Sequence, residues 1–348
     1  MRDGSHRQSP LLELTRIRLL EVKREPEALF WMFIFPVLMA VALGSAFPSR
    51  TIDPVVAGVV TQPGADRIEA ALRSIRGMTV RRLAPREVES ALRRATVQIV
   101  IEPGPPPRYR FDPARPESRL ARRIVDDAMQ RASGRRDAWT PAEIHLATPG
   151  SRYVDWLVPG LLGMTIMSTS LWGIGFPIVQ ARTRKLLKRL IATPMRRRDY
   201  LVAQALARLV FLTLEAGVLL AAGRFLFGMP MRGSWWLVIA ISVLGAMSFA
   251  AIGLLAASRA RTVEGLSGLL NLVILPMWIV SGVFFASANF PEVVQPVIQV
   301  VPLTALNNAL RSVILEGLPV TALAKELAVL VAWGAGCFAL SLRYFRWQ

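Results

Sequence analysis

The chain has 348 residues, of which 53% are hydrophobic, and carries 42 lysines and arginines against 24 acidic residues, a formal net charge of +18. That mixture excludes a soluble domain with charge spread evenly over its surface, because so much apolar side chain needs a second solvent to face. One cysteine and two histidines also exclude an intrachain disulfide and a histidine-built metal site.

In chain order, the segment LLELTRIRLLEVKREP (11–26) reads as a helix ended by Pro26 and lying at the inner surface of a membrane. The apolar run 28–47 follows, at about 20 residues long enough to cross a hydrocarbon core of about 30 Å as a helix. Its end, Gly44 to Ala46, has the small residues of a signal-peptide cleavage site. The charged region before it and the length of the run favour a retained first span.

Residues 48–152 are too many for a simple loop. VVAGVVTQ (55–62), MTVRRLA (78–84), VQIVIEP (97–103) and RYRFDP (108–113) read as short strands. Helical patterns at 65–75, 86–94 and 117–132 are interleaved with them and follow them. This is the pattern of an inserted α/β domain.

Five further apolar runs read as spans, at about 154–179, 201–227, 235–257, 266–285 and 320–342. The connection 182–199 holds eight basic residues, 258–264 adds Arg259 and Arg261, and the C-terminal tail adds Arg343 and Arg346. The alternate connections hold one arginine each, Arg232 and Arg311. Positive charge on short loops marks the cytoplasmic side, so both termini are expected in the cytoplasm and the α/β domain outside it. Within 286–319, Pro291, Pro296 and Pro302 interrupt an apolar stretch, which predicts a re-entrant or interfacial segment over about 286–317.

The expected fold class is therefore an α-helical integral membrane protein with six transmembrane helices and an inserted extracytoplasmic α/β domain. Its parts are a cytoplasmic interfacial segment (1–27), the first span (28–47), the α/β domain (48–152) and a five-helix transmembrane domain (153–348).

No catalytic, cofactor-binding or metal-ligating set emerges. None of the four lysines, Lys23, Lys185, Lys188 and Lys325, follows a glycine. A Gly-Lys phosphate loop, which holds phosphates with backbone amides and a lysine, is therefore missing. Cys337 falls inside the last run and reads as a core side chain.

Glu215, in the middle of LVFLTLEAGVLLAAG (209–223), is costly in hydrocarbon unless it is protonated, hydrogen-bonded at a subunit contact, or facing a polar path. Arg208, seven residues earlier on the same face, and Arg224 read as arginines that snorkel to the interface. Asn271 and Ser281 in the fifth run are weaker candidates for the same path or subunit interface.

The connection after the second span has a second pattern. Over 182–191, Leu186, Leu187, Leu190 and Ile191 fall on one helical face and Arg182, Arg184, Lys185, Lys188 and Arg189 on the other, with Thr193 and Pro194 at its end. No aromatic residue interleaves with these charges, which argues against nucleic acid as a partner. Ordinary positive-inside charge explains part of the cluster, but it does not call for a sharply amphipathic helix.

VPGLLGMTIMSTSLWGIGFPIVQARTRKLLKRLIATPMRRRDYLVAQALARLV (158–210) resembles the signature region of type-2 ATP-binding-cassette exporter permeases. So does LLNLVILPMWIVSGVFFASANFPEVVQPVIQVVPLTALNNALR (269–311), with Ser-Gly-Val-Phe-Phe at 281–285 and Pro-Leu-Thr at 302–304. The chain departs from many such permeases in reading QARTRK where they carry acids early in the loop. The resemblance implies a bacterial inner-membrane permease subunit exporting a drug, lipid or lipid-linked molecule. It would pair with a second permease, as homo- or heterodimer, and with cytoplasmic ATPase subunits that bind ATP and Mg. It also implies that 182–191 is a coupling helix, whose Leu186, Leu187, Leu190, Ile191, Thr193 and Pro194 meet the ATPase. Two other readings stay open at this point: a membrane-anchored sensor with an external ligand-binding domain, and a secondary transporter.

Overall fold

The computed structural model describes residues 24–46, 55–75, 77–139, 152–183 and 197–344, together with Arg16, Leu20 and Ala142. The chain divides into two units, Ser49–Leu146 and the remainder, Met1–Pro48 with Ala147–Gln348.

The smaller unit is a four-stranded sheet with helices on both faces. Its elements are β1 (Val55–Val60), β2 (Met78–Leu83), β3 (Ile99–Glu102) and β4 (Arg108–Phe111), each inside a segment read as a short strand. The strand order is β2-β1-β3-β4; β1 runs parallel to β2 and β3, and β4 is antiparallel to β3. A parallel central strand is buried on both sides, which is why VVAGVV is a continuous apolar run. Val55, Ala57 and Val59 pack with Ile99 and Ile101 under Ala65–Arg73 and Pro116–Ala132, while Val60, Leu83 and Val100 pack with Val88–Arg93 on the other face. Gly58 leaves room there for Leu83, whose Cδ1 would lie 2.6 Å from an added Cβ.

In the larger unit, α1 (Phe30–Ala46) begins with a π-helical stretch, Phe30–Ile34, and is preceded directly by the turn Pro26–Leu29. Pro26, expected to end a helix, instead opens one, because its missing N–H is an orphan at a helix start in any case. Among the described residues, five helices are long and apolar enough to cross a membrane. Here α2 is Tyr153–Thr183, α3 Arg197–Phe227, α4 Trp235–Arg259, α5 Val263–Val280 and α6 Ala324–Tyr344. α1 is shorter than these, and a bent helix pair, Glu292–Val300 with Pro302–Glu316, is the other candidate for a sixth crossing.

The bend in that pair is 84°. Its cause is local. Pro302 pushes the residue before it out of the helical region, and Val301 takes φ −69° and ψ 128°. We number the two longest helical pieces α7 (Gln295–Val300) and α8 (Pro302–Arg311). α5 stops at Val280, short of the expected 285, because Ser281 closes it and Gly282 adopts φ 72°, a conformation that suits glycine. Ser281 is therefore a helix-end residue, not one inside the span.

α2 is the central helix. It packs against α1, α3, α4, α5 and α8, and its apolar window is 72% buried, against 17% for α5 and for the last span. The open faces of the outer helices carry apolar side chains such as Leu272, Ile279, Phe338 and Leu342, as surfaces in contact with lipid or another subunit must.

Candidate functional site

Two clusters of polar groups are buried inside the larger unit. The first is built on α2 and α3. Arg208 and Glu215 are seven residues apart, two helical turns along one face, and the Arg208 Nη1 donates to Glu215 Oε1 at 2.9 Å. Glu215 is only 2% exposed. From α2, the Thr169 hydroxyl lies 3.2 Å from Glu215 Oε2 and 2.6 Å from the Thr165 carbonyl, and accepts from Arg208 Nη2. One hydroxyl proton serves only one of those two acceptors at a time, so Thr169 joins α2 to α3 through the ion pair. Arg208 therefore does not snorkel to the interface. An acid within two turns supplies a better partner than distant water, and a paired charge is the form in which ions persist at membrane depth.

The second cluster lies between α2, the end of α5 and α8. Thr304, Asn307 and Arg311 recur at helical spacing along one face of α8 and are 1%, 0% and 5% exposed. Arg311, counted as a loop charge in the sequence reading, is thus an interior residue. Its Nε donates to the Trp156 carbonyl at 3.2 Å and its Nη2 to the Gly282 carbonyl at 2.5 Å, with the guanidinium carbon 3.4 Å over the Trp156 ring. The Gly282 carbonyl, just past the C-terminal end of α5, and an aromatic face both offer negative potential to a cation. Asn307 Nδ2 donates to the Ser281 carbonyl at 3.1 Å. The room for this comes from α2, where Gly160 and Gly163 face the cluster. A Cβ at Gly160 would lie 2.7 Å from Arg311 Nη2, and one at Gly163 would overlap Asn307 Oδ1. Ser281 Oγ, Thr304 Oγ1, Asn307 Oδ1 and Arg311 Nη1 are buried without a hydrogen-bond partner among the described residues.

The sequence candidates are thus dispersed. Glu215 belongs to the first cluster and Ser281 to the second, while Asn271 is exposed on α5 beside Leu272. Leu186, Leu187, Leu190, Ile191, Thr193 and Pro194 lie outside the described residues. Arg182 and Thr183, expected to begin the amphipathic helix, are the last residues of α2. Arg182 Nη1 donates to the Ala257 and Ala260 carbonyls at 3.2 and 2.9 Å, which ties it to the C-terminal end of α4.

Sequence reasoning missed Arg311, Asn307 and Trp156. The available signal was the polar spacing 304, 307, 311 in one segment opposite the glycine spacing 160, 163 in another. Also missed was Asp155, fully buried in the first turn of α2 and held by Arg152 through two hydrogen bonds of 2.9 Å. No group of three or more potential metal ligands occurs among the described residues.

Residues 124–315 match the family described as ABC-2 type transporter, a stretch covering more than half of the chain and both buried clusters. Similar proteins include the linearmycin resistance permease protein LnrN of Bacillus subtilis (strain 168), 24% identical over 51% of this chain and 46% of its own length. The probable multidrug ABC transporter permease YbhS of Escherichia coli (strain K12) is 26% identical over 53% of this chain and 49% of its own length. The inner membrane transport permease YadH of Escherichia coli (strain K12) is 25% identical over 47% of this chain and 63% of its own length. The chain thus spans about half the length of the first two and somewhat more of the third.

Proposed function

This chain belongs to the ABC-2 type transporter family and is a multi-pass membrane permease, and from that premise we propose that it forms the transmembrane part of an ATP-driven exporter. The cargo in this reading is hydrophobic or amphipathic, a drug, a lipid or a lipid-linked molecule, leaving the cytoplasm or the inner leaflet. The observation that carries the reading is the family match over 124–315. The names of two relatives, a resistance permease and a probable multidrug permease, support the class of cargo. A partner chain supplies ATP hydrolysis and binds ATP and Mg. A second permease, identical or related, completes the pathway.

The coupling element in this proposal is the 182–191 segment with Thr193 and Pro194. Its apolar residues Leu186, Leu187, Leu190 and Ile191 seat in a groove of the ATPase, and its basic residues stay near anionic headgroups. Docking on a cytoplasmic ATPase places both termini in the cytoplasm and the α/β unit outside. Glu215 and Ser281 are proposed for the translocation path, and Asn271, exposed with Leu272, Leu275 and Ile279, for the contact with the second permease.

Burial of one leucine contributes about 1.5–3 kcal/mol before ordering costs. Leu187→Asp is therefore expected to reduce co-purification with the ATPase and to uncouple hydrolysis from transport at unchanged membrane level, and Arg197→Gln to do much less. Equal behaviour of the two variants would remove the docking role.

A further inference from the structure

Beside the bend at Val301, a cavity of about 270 Å³ opens between the 287–300 segment, α8 and the first turn of α6. Half of its lining is polar although the helices around it are apolar. Lys325 Nζ donates to Gln299 Oε1 at 2.5 Å, leaving two ammonium protons. Gln295 donates to the Ser287 and Phe290 carbonyls at 2.8 and 2.9 Å, which fixes the wall. The side chains of Glu326 and Asn308 also line the cavity. Thr304 borders it as well, with its hydroxyl buried away from the opening. The two remaining ammonium protons of Lys325 and the carboxylate of Glu326 make this a wall that receives a polar group.

The surroundings specify what kind of molecule carries that group. On α7, Gln295 and Gln299 turn toward the cavity, while Val297 and Val300, on the opposite side of the helix, are 64% and 53% exposed. Ile298 is buried on the inner side of this helix, and Val293, Val297 and Val300 are left exposed, an apolar surface of the kind that meets lipid. Trp333 Nε1 donates to the Val300 carbonyl at 2.8 Å. Trp333 is eight residues beyond Lys325 on α6, about 12 Å at the helical rise, so the valines sit alongside the first part of an apolar span. The cavity is smaller than the range of about 300–1,000 Å³ usual for drug-sized ligands, so it suits a headgroup whose apolar remainder stays outside.

Lys325 and Glu326 supply one charge of each sign. A purely anionic group would meet Glu326 and a purely cationic one Lys325, whereas a zwitterion satisfies both. The lining contains no aromatic ring among the described residues, which disfavours a quaternary ammonium and favours a primary one that donates hydrogen bonds to a carboxylate. We propose that this cavity binds the headgroup of a membrane phospholipid carrying a phosphate and a primary ammonium. The phosphate lies on Lys325 and Asn308, the ammonium on Glu326, and the acyl chains run out over the exposed valines of α7.

The test is lipid binding to the full chain in nanodiscs, read by native mass spectrometry with phosphatidylethanolamine, phosphatidylglycerol and phosphatidylcholine of identical acyl chains. The wild-type chain is expected to hold phosphatidylethanolamine about tenfold more tightly than either of the others, the scale of one charge-assisted hydrogen bond. Glu326→Gln removes the preference over phosphatidylglycerol, Lys325→Gln weakens both phospholipids alike, and Arg224→Gln, an exposed change on α3, leaves binding as it was. Soluble phosphoethanolamine at matched concentration does not displace the lipid. Equal retention of the three lipids by the wild type, or an unchanged preference in Glu326→Gln, overturns the proposal. Displacement by soluble phosphoethanolamine overturns the assignment to a lipid.

Discussion

Arginine is used in two ways in the two units of this protein. In the α/β unit, Arg82 reaches Glu69 and Asp66, Arg110 reaches Glu102, and Arg131 and Arg135 share Asp127 and Asp137, all with arginine side chains 40–58% exposed. Water already solvates the arginine of every such pair, so losing the partner strands no buried guanidinium. In the membrane unit, Arg208 with Glu215 and Arg311 with two carbonyls and a ring have no such reservoir. There the cost of burial has been met by geometry, and losing one partner leaves a charge in a medium that solvates it badly. The same side chain is exchangeable in one unit and fixed in place in the other.

Breaking the comparison at its strongest point means stranding Arg208. Glu215→Leu is expected to lower the unfolding free energy of the detergent-solubilised chain by about 3–5 kcal/mol. The double variant Arg208→Met with Glu215→Leu recovers most of that loss, because no unpaired charge is left. Thermal denaturation of the three proteins measures it, and equal losses in single and double variants would show that the pair carries no coupling.

A smaller effect is expected from closing the room that α2 leaves for α8. Gly163→Ala places a methyl group against Asn307 Oδ1, and overpacking of this kind costs about 1–3 kcal/mol. Made in an Asn307→Ala background the same change should cost less, which separates the steric clash from a general effect on helix α2.

The least effect is expected on the water-facing side. Arg135→Ala removes hydrogen bonds to Asp127 and Asp137, yet both acids keep Arg131 and solvent. The melting midpoint should not move measurably. A drop like that of Glu215→Leu would mean that the two units do not differ in how they hold charge.

Much of the architecture is legible in the residues. The short apolar runs VVAGVV and VQIVIEP placed the central strands, and the long apolar runs placed the long helices, because hydropathy reports directly on the solvent each segment meets. The site is less legible. Arg208 and Glu215 were visible as neighbours at helical spacing, but the role of Thr169 was not, since it reaches them from another helix. Arg311 looked like one more loop charge, and only the crossing of α8 with α2 makes it an interior residue.

By itself, then, the sequence determined that this chain lives in two solvents, where the apolar crossings and the α/β insertion lie, and which family its signature segments resemble. The tertiary structure alone decided which polar groups meet: Glu215 with Thr169, Arg311 with Trp156, Lys325 with Gln299. The reason is physical. A segment's hydrophobicity sets how much of it leaves water and is a local sum over its residues. The partner of a buried charge is set by helix contacts between residues as far apart as Trp156 and Arg311, separated by 155 positions in the chain, and no local sum contains that information.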